Sequence, residues 1–471
     1  MQRRRFLQNS MLTITGSAFF SGPINGASSD FAKEFGKQKQ MAKNIIFMVS
    51  DGMSMGTLNM ADLLLQRKEG RRSYWLKLYD QQKVSRALMD TASASSMVTD
   101  SAAASSAWGG GVRVKNGSIN IGLNGEAHQP ILQKFKAVGK SVGCVTTVPV
   151  AHATPAGFCV NNNKRGDMDE IAQQYLPLQF DCMMGGGADN FLATGRRDKT
   201  DLLNQYQAKG YNIVQDRTAL MESNSDKIKP LLGLFHSGGL PYSLDQTQDK
   251  SLMTTIPTLA EMTHKAIQHM KKNRKGFVLQ VEAGKVDWAA HSNDIGGLLY
   301  DQIAFDEAIK VAIDFAKNDA ETLVIITTDH GNANPGLFYG DKANKNFDSI
   351  QLFSQTNEWI LNGINKNDTI SKVIERVAFA QKIVLQKTEA EELLKHYEFL
   401  SDDGLYNARK LPFKKLAQIQ SNYTSVGWGS MDHSADYVEL CMYGPGSELL
   451  PPFVKNTDLH DFMLYATAIK Q

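Results

Sequence analysis

The sequence predicts an α/β protein: a three-layer αβα sandwich with a central, mostly parallel sheet and an inserted cap region. Three observations carry this expectation. Apolar or β-branched runs of strand length alternate with helical patterns from Lys43 to Thr328, as in sheets whose strands are joined by crossover helices. Residues able to hold metals or phosphate directly follow those runs, where ligands bind in open α/β sheets. Between His330 and His433 the chain changes character for about a hundred residues and then returns to a strand.

In order, the chain opens with Arg3-Arg4-Arg5-Phe6-Leu7, a modestly apolar run Met11–Phe20, and the small residues Gly26-Ala27-Ser28-Ser29. Residues 1–28 therefore read as a twin-arginine-type signal peptide, which predicts an exported, periplasmic protein. The apolar run is too short to span a bilayer. Residues 29–42 are a polar, Lys-rich linker. Asn44–Val49 is a predicted strand and Met60–Arg67 a helix. Ser101–Trp108 is small and Ala-rich and begins another helix. Ile131–Val138 reads as a helix and Ser141–Val148 as a strand. The helix Asp169–Tyr175 leads to the strand Phe180–Met184, closed by Gly185-Gly186-Gly187. Leu259–Asn273 and Leu299–Ala316 have helical periodicity and flank the strand Gly276–Val281; Leu323–Thr328 is the next strand. Residues 332–425 are expected to be an insertion on the functional edge of a single catalytic domain spanning 43–471. It contains amphipathic helices over Ser371–Lys382 and Thr388–Phe399, and it would cover the cleft mouth or contact a second copy as a homodimer. Tyr437–Met442 resumes the sheet.

Bulk properties narrow the function. The chain has 471 residues, 42% hydrophobic and 21% charged, with 51 Lys+Arg against 49 Asp+Glu. That is ordinary globular composition, too near neutral to argue for a nucleic-acid or membrane surface. No stretch suits a membrane span. The cysteines Cys144, Cys159, Cys182 and Cys441 match no CxxC metal pattern and read as buried free thiols.

The chemistry lies in short, distant segments. In Val281–His291, Asp287 and His291 are four residues apart, so a helical turn puts both on one face; Glu282 reaches the same cleft from the strand end. Asp329-His330 follows a buried-looking strand, and His433 lies in a small-residue loop before one. Asp51 follows Asn44–Ser50, and Gly52 lets the backbone turn; its two carboxylate oxygens could bridge two metals. Ser101 sits where a helix begins, a place that favours a phosphate-like anion, although alone it reads as an N-cap. Thr154, after His152, offers a hard oxygen suited to magnesium, and Arg165 a bidentate grip on phosphate. Together three histidines and four acids suffice for two zinc sites and a harder oxygen site, with Ser101 as nucleophile.

The motifs VSDGM, VTDSAAA, HATPAGF with Arg165 thirteen residues after His152, VEAGKVDWAAH and TTDHGN resemble the alkaline phosphatase family over roughly 43–331 and 426–446. The resemblance implies an enzyme that hydrolyses small-molecule phosphate monoesters through a phosphoserine at Ser101. It implies one zinc on Asp287, His291 and His433, and a second on Asp51, Asp329 and His330. Magnesium would sit on Asp51, Thr154 and Glu282, and Arg165 would bind phosphate oxygens. Some bacterial members carry Asp and Lys where this chain has His152 and Trp288, which bears on metal preference and pH optimum. A sulfatase would need a CxPxR-type motif, absent at Ser101, and a diesterase usually lacks the third-metal set.

Overall fold

Strands form where apolar residues run without interruption. Asn44–Ser50 (β1), Ser141–Pro149 (β3), Phe277–Ala283 (β7) and Thr322–Thr327 (β8) are buried along their whole length, as strands sandwiched between two helical layers must be. The computed structural model describes residues 41–223, 229–398 and 410–469, all within one compact unit, Gln38–Gln471. The signal-peptide segment 1–28, linker residues 29–40 and Phe399 lie outside the described residues.

The main sheet adds Ser85–Asp90 (β2), Cys182–Gly186 (β4), Asn212–Val214 (β5), Leu231–Leu234 (β6), Val438–Tyr443 (β13) and Phe453–Lys455 (β14). Its ten strands lie in the order β14-β2-β13-β8-β1-β7-β3-β4-β6-β5. β13 alone runs antiparallel to its neighbours, β2 and β8. Two short ribbons stand apart. Gly331–Asn332 (β9) pairs with His433–Ser434 (β12), and Gly336–Leu337 (β10) with Val426–Gly427 (β11).

Helices cover both faces. The longest, Ile295–Asp319, starts at Asp294, whose side chain accepts from Gly297 N, and ends at Ala320 in the left-handed conformation; an acceptor at one end and a left-handed residue at the other satisfy the terminal backbone groups. It extends four residues before and three beyond the predicted Leu299–Ala316: at the start the poor helix formers Gly296-Gly297 hide the first turn, and at the end Lys317-Asn318-Asp319 carry no apolar signal. The Ser101–Gly110 helix is capped by Asp100, which accepts from Ala103 N at 2.9 Å. Ser101 is thus the first helical residue and not the N-cap that its hydroxyl suggests. β2 and β6 escape the sequence pattern for different reasons: β2 exposes Arg86 and Leu88 on one face, and β6 has only four residues.

Residues 332–425, expected as an insertion, are mainly helical where described, with helices Ala343–Asp348, Asn357–Asn362, Ile370–Gln381, Lys387–Tyr397 and Phe413–Thr424. Phe347, Ile360, Leu361, Val373 and Leu416 are buried in the same hydrophobic core as Leu58, Leu64 and Leu299. Polar contacts bind it further: Thr356 donates to both Asp245 oxygens, and Asn357 N donates to Asp294 Oδ2 at 2.7 Å. All four cysteines are buried and free. Among the described residues no helix is long and apolar enough to cross a membrane.

Phe47 of β1 packs 4.9 Å from Trp108 and 5.1 Å from Phe158, ring centre to ring centre. Trp108 belongs to the Ser101–Gly110 helix and Phe158 to the Ala153–Cys159 helix, so one side chain seats two helices on the central strand. Phe47→Ala is expected to cost about 3–5 kcal/mol, measured as a lowered denaturant midpoint with unchanged slope.

Candidate functional site

Asp51 follows β1, Glu282 is the penultimate residue of β7, Asp329-His330 follow β8, and His152 follows β3. These strands are parallel, so the four segments emerge at one edge of the sheet. Ser101 reaches the edge from the helix after β2. His433 precedes a strand, yet it arrives at the same place because β13 is reversed.

Three clusters form there, each with ligand atoms within 4.8 Å of one another: Asp287, His291 and His433; Asp51, Asp329 and His330; Asp51, His152 and Glu282. Asp51, Glu282, Asp329 and His330 are completely buried, and Ser101 and Asp287 nearly so. Ser101 Oγ lies 3.3 Å from His330 Nε2. His330 Nε2 also lies 3.1 Å from Asp329 Oδ2 and 3.7 Å from Asp51 Oδ1. Thr154 Oγ1 donates to Asp51 Oδ2 at 3.4 Å, and Thr146 Oγ1 donates to Glu282 Oε2. Gly52, with φ +66°, turns the chain so that its N–H donates to Asp329 Oδ1 at 2.9 Å. A Cβ at Gly52 would sit 2.4 Å from Asp287 Oδ1, so only glycine fits there.

The donor chemistry fits divalent metals. Asp51 Oδ1, Glu282 Oε1 and Asp329 Oδ2 are buried without a hydrogen-bond partner, and such groups are costly unless something satisfies them; His330 turns its Nε2 toward two of them. His291 Nδ1 is 2.6 Å from Met431 O, and His433 Nδ1 is 2.9 Å from Thr99 O. Carbonyls only accept, so both Nδ1 atoms carry hydrogen. The two Nε2 lone pairs then face each other at 3.0 Å, which requires a proton or a metal between them. Imidazoles fixed through the other nitrogen in this way are typical of metal ligands.

Electrostatics agree. Burial raises the Asp51 carboxyl well above its usual range, and the charges of Asp329, Asp287 and Glu282 raise it further. Burial likewise lifts Glu282 to about 7, against hydrogen bonds from Thr146 and Thr154. Burial also opposes ionisation of Asp287, but the hydrogen bond from His433 and the nearby histidine charges win and hold it below the carboxylate range. In turn, burial lowers His433 less than Asp287 raises it, to about 9.

Arg165 Nη1 donates to Asp100 Oδ2 at 3.1 Å, and its Nη2 lies 3.1 Å from His152 Nε2. Burial and the Arg165 charge push His152 down to about 3, leaving it neutral. Its Nδ1 is buried and unpartnered. Trp288 packs edge-on to His152 at 6.2 Å. The ammonium of Lys285, itself nearly buried, lies 3.6 Å from the Tyr242 ring centre and 4.8 Å from that of Trp288.

All twelve residues singled out by the sequence thus lie at or beside one edge. Sequence reasoning missed the second layer: Asp100 as the carboxylate holding Arg165, Thr146 on Glu282, and Asn332, whose amide holds Asp287 at 2.7 Å. Asp100 lies inside VTDSAAA and Asn332 ends TTDHGN, but nothing in those motifs says which side chain each would hold. Asp432, next to His433, is exposed.

The family model described as alkaline phosphatase matches residues 42–469. Alkaline phosphatase 3 of Bacillus subtilis (strain 168) is 31% identical over 456 residues, covering 95% of this chain and 93% of that protein. Alkaline phosphatase of Escherichia coli (strain K12) is 33% identical over 335 residues, covering 62% and 70%. The crystal structure of Thermus thermophilus alkaline phosphatase superposes with a TM-score of 0.85 at 30% identity, covering 95% of this chain and 96% of that one.

The raised His433 makes metal uptake pH-dependent. Without metal His433 is protonated below about pH 9, and that proton must leave before Nε2 can bind a cation. Apparent affinity of the Asp287–His291–His433 cluster should therefore rise about tenfold per pH unit and level off near pH 9. Zinc titrations against a competing chelator between pH 6 and 10 check this; a flat profile would contradict it.

Proposed function

The chain belongs to the alkaline phosphatase family, a family of phosphoric monoester hydrolases, and on that premise we propose that Ser101 is its nucleophile in a three-metal centre. The observation that carries this is the position of Ser101 Oγ: at a helix start, 3.3 Å from His330 within the Asp51–Asp329–His330 cluster. Zinc suits the two clusters that combine histidine with carboxylate, Asp287–His291–His433 and Asp51–Asp329–His330. Magnesium suits the oxygens of Asp51, Thr154 and Glu282. His152 supports a second reading for that third position. Its neutral imidazole stands in one cluster with Asp51 and Glu282, a donor set that also takes zinc or cobalt.

When bound, these ions supply the positive charge that favours the serine alkoxide, the departing ester oxygen and an activated water. Ser101 Oγ attacks phosphorus in line. The ester oxygen leaves with its electron pair and takes up a proton, and phosphoserine forms. Water then attacks phosphorus from the opposite side, restoring Ser101 and releasing inorganic phosphate. The helix start at Ser101 favours the phosphate dianion. Arg165 holds two non-bridging oxygens, and Asp100 keeps its guanidinium aimed. Trp288 walls the pocket beside His152.

The basic leader supports export to the periplasm through a twin-arginine-type signal. A second copy of the chain is the partner we assign to an apolar strip along one sheet edge. Leu88 and Phe453 are register neighbours in β2 and β14, Tyr437 packs edge-on to Phe453 with ring centres 5.0 Å apart, and Tyr437 shares a groove of about 440 Å³ with Met55. All four are 45–58% exposed, the kind of edge that association covers.

Ser101→Ala should lower turnover of p-nitrophenyl phosphate at least about a thousandfold while elemental analysis finds the metal content unchanged; retained turnover would remove Ser101 from its role. The wild-type enzyme should cleave p-nitrophenyl phosphate faster than bis-p-nitrophenyl phosphate, and chelator should abolish both activities. For the dimer, Tyr437→Arg with Phe453→Glu should halve the mass in solution by light scattering, whereas an unchanged mass would place the contact elsewhere.

A further inference from the structure

We infer that Asn332 is a positioning residue that assembles the Asp287–His291–His433 cluster from two separate parts of the chain. The inference rests on the metal-centre reading above and extends it to a residue outside the ligand set.

Asn332 is completely buried. Its Nδ2 donates to Asp287 Oδ1 at 2.7 Å and lies 3.3 Å from Asp287 O. Both partners are acceptors, so the amide cannot be reversed, and its Oδ1 remains buried without a partner. Across the β9–β12 ribbon the backbone of Asn332 pairs with His433. Ser54 clamps the same residue: its Oγ accepts from Asn332 N at 3.1 Å and donates to Asn332 O at 2.9 Å. One residue therefore fixes an acid on the Lys285–His291 helix and a histidine about a hundred residues further on.

The chemical effect is specific. An amide donor on Oδ1 stabilises the ionised carboxylate without adding a proton or a competing charge. It also stops rotation of the carboxylate, so Oδ2 stays toward His291, 3.5 Å away. The Asp51–Asp329–His330 cluster has its own holder, the Gly52 amide on Asp329. Loss of Asn332 should thus touch one cluster and leave the others.

The test uses the full-length protein stripped of metal, with Asn332→Ala and Asn332→Ser, both of which lack the amide. Zinc is titrated against a chromophoric chelator of known affinity, and cobalt(II) spectra are recorded in parallel. The expected result is a loss of about 10–100-fold in affinity for one ion, with the others unchanged, one cobalt band set altered, and the melting temperature of the metal-free protein maintained. Wild-type affinity for every ion in both variants would overturn the inference. So would uniform weakening of all ions with a lower melting temperature, which marks a structural role only. If the wild-type protein itself takes up no zinc, the metal-centre reading fails first, so the two failures are separable.

Discussion

Four carboxylates in one water-excluded pocket set the terms for everything around them. Asp51, Glu282, Asp287 and Asp329 are buried together, and burial, with repulsion from the neighbouring acids added to it, raises Asp51 and Glu282. Like charges at such separations cannot all remain ionised unless cations join them. Protons on histidine can do part of this, as His433 does for Asp287. Divalent ions do it better, because one ion is shared by several buried oxygens at once. A fold that carries this cluster must therefore hold it rigidly enough that repulsion does not open it.

The sheet provides that rigidity. β1, β7, β8 and β3 lie side by side in the middle of ten strands and deliver Asp51, Glu282, Asp329-His330 and His152 to one edge. A slip of one residue in any of them would turn every side chain to the opposite face and carry its ligand away from the site. The aromatic group Phe47, Trp108 and Phe158 then seats the helices bearing Ser101 and Thr154 on β1. The insertion is welded to the same body through Asp245 and Asp294. His433, which follows the insertion, is anchored by its pairing with Asn332 and by its Nδ1 on Thr99 O.

A second constraint is the control of Arg165. Asp100 takes one of its nitrogens and the neutral His152 another, so it is parked near Ser101 with its charge partly spent. The cation absent at Trp288 is present three residues earlier, at Lys285, but it faces the Tyr242 and Trp288 rings. Its position under the aromatic wall stabilises that wall by cation–π attraction.

The α/β class and the order of the central strands and helices along the chain were legible in the sequence, and so were the residues that the structure gathers into three clusters, except that His152 stands where Thr154 was expected as a ligand. Apolar runs and 3.6-residue periodicity are local signals, and chemistry-bearing residues sit at fixed offsets from them. Asp287 and His291 could be paired on one helical face from spacing alone. Three things were beyond it. The reversal of β13 depends on strand neighbours far apart in sequence, and without it His433 would leave at the opposite edge. The cap at Asp100 in place of Ser101 depends on which side chain reaches Ala103 N, since both can cap. The supports Asp100, Thr146 and Asn332 act through single hydrogen bonds between distant segments, and long-range pairing of that kind leaves no periodic trace. Local chemistry determined which residues could act; only the packed sheet, which fixes strand direction and register, decided which of them meet.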